Sequence, residues 1–407
     1  MFEKIKSINV SILLLWVGHL ISHAGDAIYQ IALPWLILEM TGSKTITSMI
    51  AFSVYLPALL FSLPAGVFAD RYSRKKVMIY SDVIRMGLIL SLVFFLFSGT
   101  ATPVIIGLIA FFVASAGTLF YPARDSIIPS LVHKNQLTSA NAFISTSGQF
   151  AHLTGPVLAA LLVSVVGLFH LFTIDAVSFG ASMICIALIR SSGKTITNNE
   201  KRATHVYELK EGLQFLFRFK PLAYLILLTA INNLFIMGPA MIGTPIFVRE
   251  VLNLEFSAFA TVEAFMASGM IIGSLIVWKF CKNINPSRVL FWGMILDGLT
   301  YSILFFIHTY TSTKLLLFIH GIGIPMITIS RTTIIQTVVP DHLRGRLFSM
   351  VNLSVIGFTA LSAGIIGPVA EFVPIGTIFL FIGIGAALCG VAGFSHRGMM
   401  SVISNKP

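Results

Sequence analysis

Residues 66–76 read Gly66-Val-Phe-Ala-Asp70-Arg71-Tyr-Ser73-Arg74-Lys75-Lys76, a short basic connector between apolar stretches at about 45–69 and 77–98. Apolar runs near twenty residues can cross a hydrocarbon core about 30 Å thick. Others follow on both sides, at about 10–36, 103–123, 138–166, 169–189, 222–247, 256–278, 288–307, 314–333, 348–371 and 375–394. Twelve spans result, and an even number puts both termini on one face. All but three of the 27 Lys and Arg residues (the exceptions are Lys44, Arg249 and Lys314) then fall on that face. By the positive-inside rule it is cytoplasmic. Adding or losing one span would scramble this alternation, so the charge pattern supports the count as well as the orientation.

Composition agrees. Of 407 residues, 56% are hydrophobic and 11% charged, where a soluble domain carries about 25% charged residues. The net charge of +11 sits in short connectors and forms no continuous basic face, which argues against nucleic acid as a partner. Cys185, Cys281 and Cys389 are scattered through apolar segments without ligand spacing, so neither disulfides nor a metal site are expected. The motifs GxxxxGK[ST], GxSxG and HExxH do not occur, so ATP is not expected as energy source, nor an enzymatic activity, nor a cofactor. The N-terminal apolar run continues past 25 residues without a cleavage signal and reads as a retained first span.

The polar stretch Arg190–Lys220 divides the chain into an N-terminal six-helix bundle (1–189), a linker (190–221) and a C-terminal six-helix bundle (222–407). Val206, Leu209, Leu213 and Leu216 recur at helical spacing opposite Lys210, Gln214 and Arg218. This is an amphipathic helix, lying on the membrane face or simply solvated. The two halves repeat: Arg124-Asp-Ser-Ile-Ile-Pro-Ser-Leu-Val132 lies on Arg331-Thr-Thr-Ile-Ile-Gln-Thr-Val-Val339 without a gap. Gly155-Pro156 answers Gly367-Pro368 at an offset larger by five. Parallel repeats of six helices are a transporter plan.

The connector Gly66 to Lys76 resembles the GxxxDRxGRR/K signature of the major facilitator superfamily, with Ser73 where glycine is usual. Gly25-Asp26 followed by Ala32-Leu33-Pro34-Trp35, then Asp175-Ala-Val-Ser-Phe179 and Leu343-Arg344-Gly345-Arg346, are similar to the bacterial branch of macrolide-efflux pumps and siderophore exporters. The resemblance implies an all-α fold of twelve transmembrane helices in two pseudo-symmetric bundles, working by alternating access in a bacterial cytoplasmic membrane. It also implies export of amphipathic small molecules or drugs by proton antiport. A dedicated exporter of an endogenous metabolite or siderophore is the alternative, and a non-transporting sensor or membrane enzyme a reading from another class. The partners are then a small-molecule substrate, protons and the lipid bilayer.

Gly66, Asp70, Arg71, Arg74 and Lys75, extended by Asp82 and Arg85, form the expected conformational latch on the cytoplasmic side. Glycine lets helices approach, and a carboxylate suits a helix N-terminus and basic neighbours. Gly155-Pro156, in a stretch similar to the antiporter motif gxxxGPxxGG, and Gly367-Pro368 are expected to pack helices. An ionisable group within the bilayer faces protein or water. Asp26 leads, within a polar stripe of span one (His19, Ser22, His23, Asp26, Tyr29, Gln30) that either lines a substrate path or forms a buried seam. Asp26 and Glu263 are the candidates for proton coupling. His19, His23, Tyr29, Gln30, Gln149, His152, Asn232, Asn233 and His320 are the cavity candidates. Asp82 and Glu371 are placed near water at span ends, and the family plan makes Asp175 and Asp297 structural.

Cysteines introduced at Ser73 and at Thr197 should react with an impermeant maleimide from the same face of the membrane. Labelling from opposite faces would break the topology.

Overall fold

The structure is a computed structural model. It describes residues 10–133, 136–190, 214–216, 218–281 and 284–395, leaving out the side chains of 62–64, 66–71, 138, 142, 152, 341 and 342. Helices account for its regular structure, with no strand among the described residues. They are α1 (Val10–Thr41), α2 (Lys44–Arg71), α3 (Arg74–Phe97), α4 (Pro103–Leu131), α5 (Leu137–Val166) and α6 (Leu168–Ala187). After these come α7 (Lys220–Val251), α8 (Phe256–Phe280), α9 (Pro286–Leu304), α10 (Tyr310–Val338), α11 (Asp341–Phe372) and α12 (Ile375–Ser395).

Among the described residues eleven helices are long and apolar enough to cross a membrane. The twelfth, α9, has 19 residues, about 28 Å at 1.5 Å per residue. It is made more polar by Arg288 and Asp297. Within α7, Pro239–Gly243 and Phe247–Val251 are π-helical. Pro239 and Pro245 withhold backbone donors there, which favours a wider turn. The expected amphipathic linker helix lies mostly outside the described residues. Its end, Phe215, Leu216 and Phe219, packs on an apolar cluster that includes Leu222, Leu225, Ile335, Leu343 and Leu347.

The chain forms two compact units, Met1–Gly42 with Phe52–Thr197, and Ser43–Ala51 with Asn198–Pro407. The same pairings recur in each. In the first unit α1 packs on α5 and α6, and α3 on α4 and α6; in the second, α7 packs on α11 and α12, and α9 on α10 and α12. The repeat read from Arg124–Val132 and Arg331–Val339 extends over whole helices. Both α4 and α10 have 29 residues. Thr102 and Thr309 cap them alike, each side-chain oxygen accepting from the N–H three residues on, at 3.4 Å. Such N-caps satisfy donors that lipid cannot.

Close backbone approach holds each unit together, as expected where lipid removes the hydrophobic drive between helices. A Cβ on Gly155 of α5 would lie 2.3 Å from the Ala27 Cβ of α1. One on Gly238 of α7 would lie 2.4 Å from the Ser362 carbonyl of α11, the matching pair of helices. Ser362 also donates to Leu234 O (2.6 Å) and accepts from Gly238 N–H (2.7 Å). Gly367 meets the start of α2, within the second unit: its N–H donates to Ser48 Oγ at 2.7 Å. Nearby the exposed Glu371 accepts from Thr45 N–H (3.0 Å) and Ser43 Oγ (3.1 Å), so its expected place near water holds.

Gly155→Val should cost about 1–3 kcal/mol through overpacking. The loss should appear as a lower melting temperature of the purified protein, and an unchanged melting curve would contradict the close α1–α5 contact.

Candidate functional site

The polar face of α1 meets α3, α4, α5 and α6 in the interior of the first unit. At the centre is Arg85 of α3, 3% exposed. It forms ion pairs with Asp82, one turn back, and with Asp26 of α1 at 3.6 Å. Its guanidinium lies over the rings of Phe120 (4.9 Å, α4) and Phe179 (4.2 Å, α6), a favourable cation–π geometry in a desolvated place. Asp175 of α6 is fully buried and interacts electrostatically with Asp26 and Arg85. Neither of its carboxylate oxygens accepts a hydrogen bond among the described residues. Gly25 makes the space: a Cβ there would stand 2.7 Å from Asp175 Oδ1.

This revises the expected latch. Asp82 was placed near water at a span end, but α3 begins at Arg74, so Asp82 is already two turns inside and 0% exposed. Asp82 and Arg85 belong to the buried cluster and not to a cytoplasmic surface. Lys75 instead donates to the carbonyls of Ala187 (2.7 Å) and Ile189 (2.8 Å) at the end of α6, where a cation satisfies helix-end acceptors. The side chains of Gly66, Asp70 and Arg71 lie outside the described residues. Arg74 is half-buried at the start of α3.

Beside the cluster is a cavity of about 350 Å³, lined by His19, His23, Arg124, Asp125, Ile128, Asn141, Ile144, Ser145, Gly148 and Gln149. His19 Nδ1 lies 2.5 Å from Ser147 Oγ, and Nε2 accepts from Arg124. Ser147 spends its own proton on Ile144 O (2.6 Å), so His19 Nδ1 is the donor and the ring is a fixed neutral tautomer. Arg124 also pairs with the exposed Asp125 at 2.7 Å. The His23 ring lies tilted against His19 (4.1 Å between centroids) and meets Tyr121 Oη at 3.2 Å.

Of the residues expected on a substrate path, the structure brings His19, His23 and Gln149 to one cavity. Tyr29 is buried against Phe172, and Gln30 is exposed. The His152 side chain lies outside the described residues. In the second unit Asn233 is half-buried. Asn232 and His320 do not line an open surface: they are 3% and 1% exposed, drawn into contact with Asp297. Glu263 is 8% exposed and forms no ion pair among the described residues. Sequence reasoning missed Arg124 and Asp125 as cavity residues and Arg85 as the centre of the cluster. The one available signal was an arginine eleven residues into an apolar helix, a costly place unless it is paired.

Repeated six-helix units of membrane-length helices, one holding buried charges beside a mixed polar cavity, define a multi-pass membrane transporter. The chain belongs to the Major Facilitator Superfamily, whose family profile matches residues 15–354. It is 28% identical over 358 residues to Macrolide efflux protein A of Streptococcus pyogenes, covering 86% of each chain. To the Multidrug efflux pump Tap of Mycobacterium tuberculosis it is 24% identical over 382 residues, covering 91% of this chain and 90% of that one. Its fold is similar to the nucleoside transporter NupG (TM-score 0.77, 14% identity, 95% and 99% covered). It is also similar to a bacterial homologue of the iron transporter ferroportin in its inward-facing state (TM-score 0.73, 17% identity, 95% and 99% covered). The protein is therefore a membrane transporter and not an enzyme.

Arg85→Met should leave buried carboxylates without their cation, at a cost of about 3–5 kcal/mol. Expression of folded protein should fall and partly recover in Arg85→Met with Asp82→Asn; equal folding of wild type and the single variant would contradict the cluster.

Proposed function

We propose that the protein exports amphipathic small molecules, drugs among them, across a bacterial cell membrane in exchange for protons, by alternating access and with both termini cytoplasmic. The observation that carries this is one guanidinium, Arg85, among three carboxylates, the half-buried Asp26 and the fully buried Asp82 and Asp175. Fully ionised, the four groups carry two uncompensated negative charges. Such charge is costly away from water, so the cluster holds protons when dry and releases them when water enters. Asp26 is the exchange port, because its side chain keeps 18% exposure while that of Asp82 has none. His19, with Nδ1–H donating to Ser147 and Nε2 accepting from Arg124, orients Arg124 and takes up no further proton.

The neighbouring cavity suits an amphipathic guest. Ile128 and Ile144 supply apolar wall; Asn141, Gln149, His23 and Asp125 supply hydrogen-bonding groups, and such a mixture is usual for small-molecule sites. The names of the relatives, macrolide and multidrug efflux pumps, support export as the direction. Glu263 is the coupling candidate of the second unit. The connector from Gly66 to Lys75 acts as the cytoplasmic latch, fastened through Lys75 to the end of α6.

In proteoliposomes with an imposed pH gradient, Asp26→Asn should reduce gradient-driven macrolide transport about tenfold or more, removing an ionisable group from the path, while binding persists. Asp70→Asn should impair transport of every substrate. Wild-type pH-driven transport in Asp26→Asn would overturn the coupling role.

A further inference from the structure

The second unit buries its own titratable cluster, distinct from the acids around Arg85. Asp297 of α9 and His320 of α10 are 2% and 1% exposed, with Nδ1 3.2 Å from Oδ1. Asn232 of α7 donates to the other carboxylate oxygen at 3.0 Å. Thr300 Oγ1 stands 2.9 Å from His320 Nδ1. Its hydroxyl proton goes to a backbone carbonyl, Leu296 or Asp297, at 2.9 Å. His320 Nδ1 thus faces both the Thr300 hydroxyl and Asp297 Oδ1.

Two polar atoms here are buried without a hydrogen-bond partner among the described residues, Asp297 Oδ1 and Asn232 Oδ1. The Tyr301 ring stands edge-on to His320 at 4.8 Å. An unmet buried polar group costs about 1–3 kcal/mol, so both oxygens favour gaining a donor. The open carboxylate oxygen beside the imidazole is a place for one more proton.

We propose that the Asp297–His320 pair is a second proton-exchange site, loaded and emptied once in each transport cycle. Its use in transport rests on the proton-antiport reading above; its exchange with water does not. Loaded, the pair is neutral, either as carboxylic acid and imidazole or as carboxylate and imidazolium. Emptied, it is carboxylate and neutral imidazole with one net negative charge, the proton having passed to water. The emptied form needs solvent nearby, which ties release to the opening of the helices around it.

Other groups face this site. Glu263 of α8 acts electrostatically on Tyr301, as Asp297 does. Lys314, six residues before His320 on α10, is held over the rings of Tyr310 (4.2 Å) and Phe265 (5.3 Å). From α12 the Phe379 ring closes on Tyr301 at 5.3 Å, and from α7 Asn232 faces the carboxylate. Asp297 also occupies the place in α9 that Arg85 occupies in α3, each eleven residues after the first residue of its helix.

Infrared difference spectra of the full-length protein in nanodiscs, recorded through a pH titration, read protonated buried carboxyls directly. A titrating carboxyl band should be present in wild type and in Asp26→Asn. It should be missing in Asp297→Asn, restored at a changed frequency in Asp297→Glu, and moved by about one pH unit or more in His320→Gln. A spectrum unchanged by Asp297→Asn between about pH 5 and 9 would overturn the proposal, as would a band that follows sodium at constant pH. If the band behaves as expected while a pH gradient drives no transport in proteoliposomes, the antiport reading fails and the proton site stands.

Discussion

Arg85 cannot be hydrated where it lies, and the first unit is organised around that constraint. Lipid offers no water to a buried guanidinium, so its charge and donors must be met by protein. Asp26 and Asp82 supply the charge, and Phe120 and Phe179 supply ring faces. Four helices therefore meet at one side chain. The glycines follow from it: Gly25 leaves room for Asp175, and Gly155 lets α5 close against α1 beside the cavity. Three acids on one base leave two uncompensated negative charges when all four groups are ionised, and the proposed proton coupling rests on that imbalance.

The second unit repeats the packing with different chemistry. Helices α3 and α9 hold matching places, and each puts an ionisable residue at the same depth, arginine in one and aspartate in the other. The first unit solves the burial problem with ion pairs. The second sets the Asn232 amide and the His320 imidazole against Asp297. Repeated backbones with unlike charges suit a carrier in which the two units need not respond identically to the same gradient.

Much of the architecture could be read from residues alone. Apolar run length and one-sided Lys and Arg settle span number and order because the bilayer constrains both directly. The match of Arg124–Val132 to Arg331–Val339 pointed to repeated halves, and the structure adds that the two helices have equal length and equivalent threonine caps. The direction of a side chain around its helix was not legible in the same way. Asp82 and Arg85, three residues apart, satisfy a local surface pair as well as an inward cluster, and in an almost wholly apolar helix periodicity does not say which face meets protein. The same limit hid the Asp297–His320 contact, since 23 positions separate them and neither belongs to a motif. The polar stripe of α1 was legible because its polar residues recur at three- and four-residue steps, and it marked both His19 and Asp26.

The central proposal is that proton exchange at the acids around Arg85 is coupled to substrate movement, and proton release measures that coupling most directly. Macrolide added to weakly buffered, detergent-purified protein near neutral pH should release about one proton or more per molecule bound, reported by a pH dye. Binding with no pH change would mean that the cluster around Arg85 is a permanent structural tie and that the energy for transport enters elsewhere.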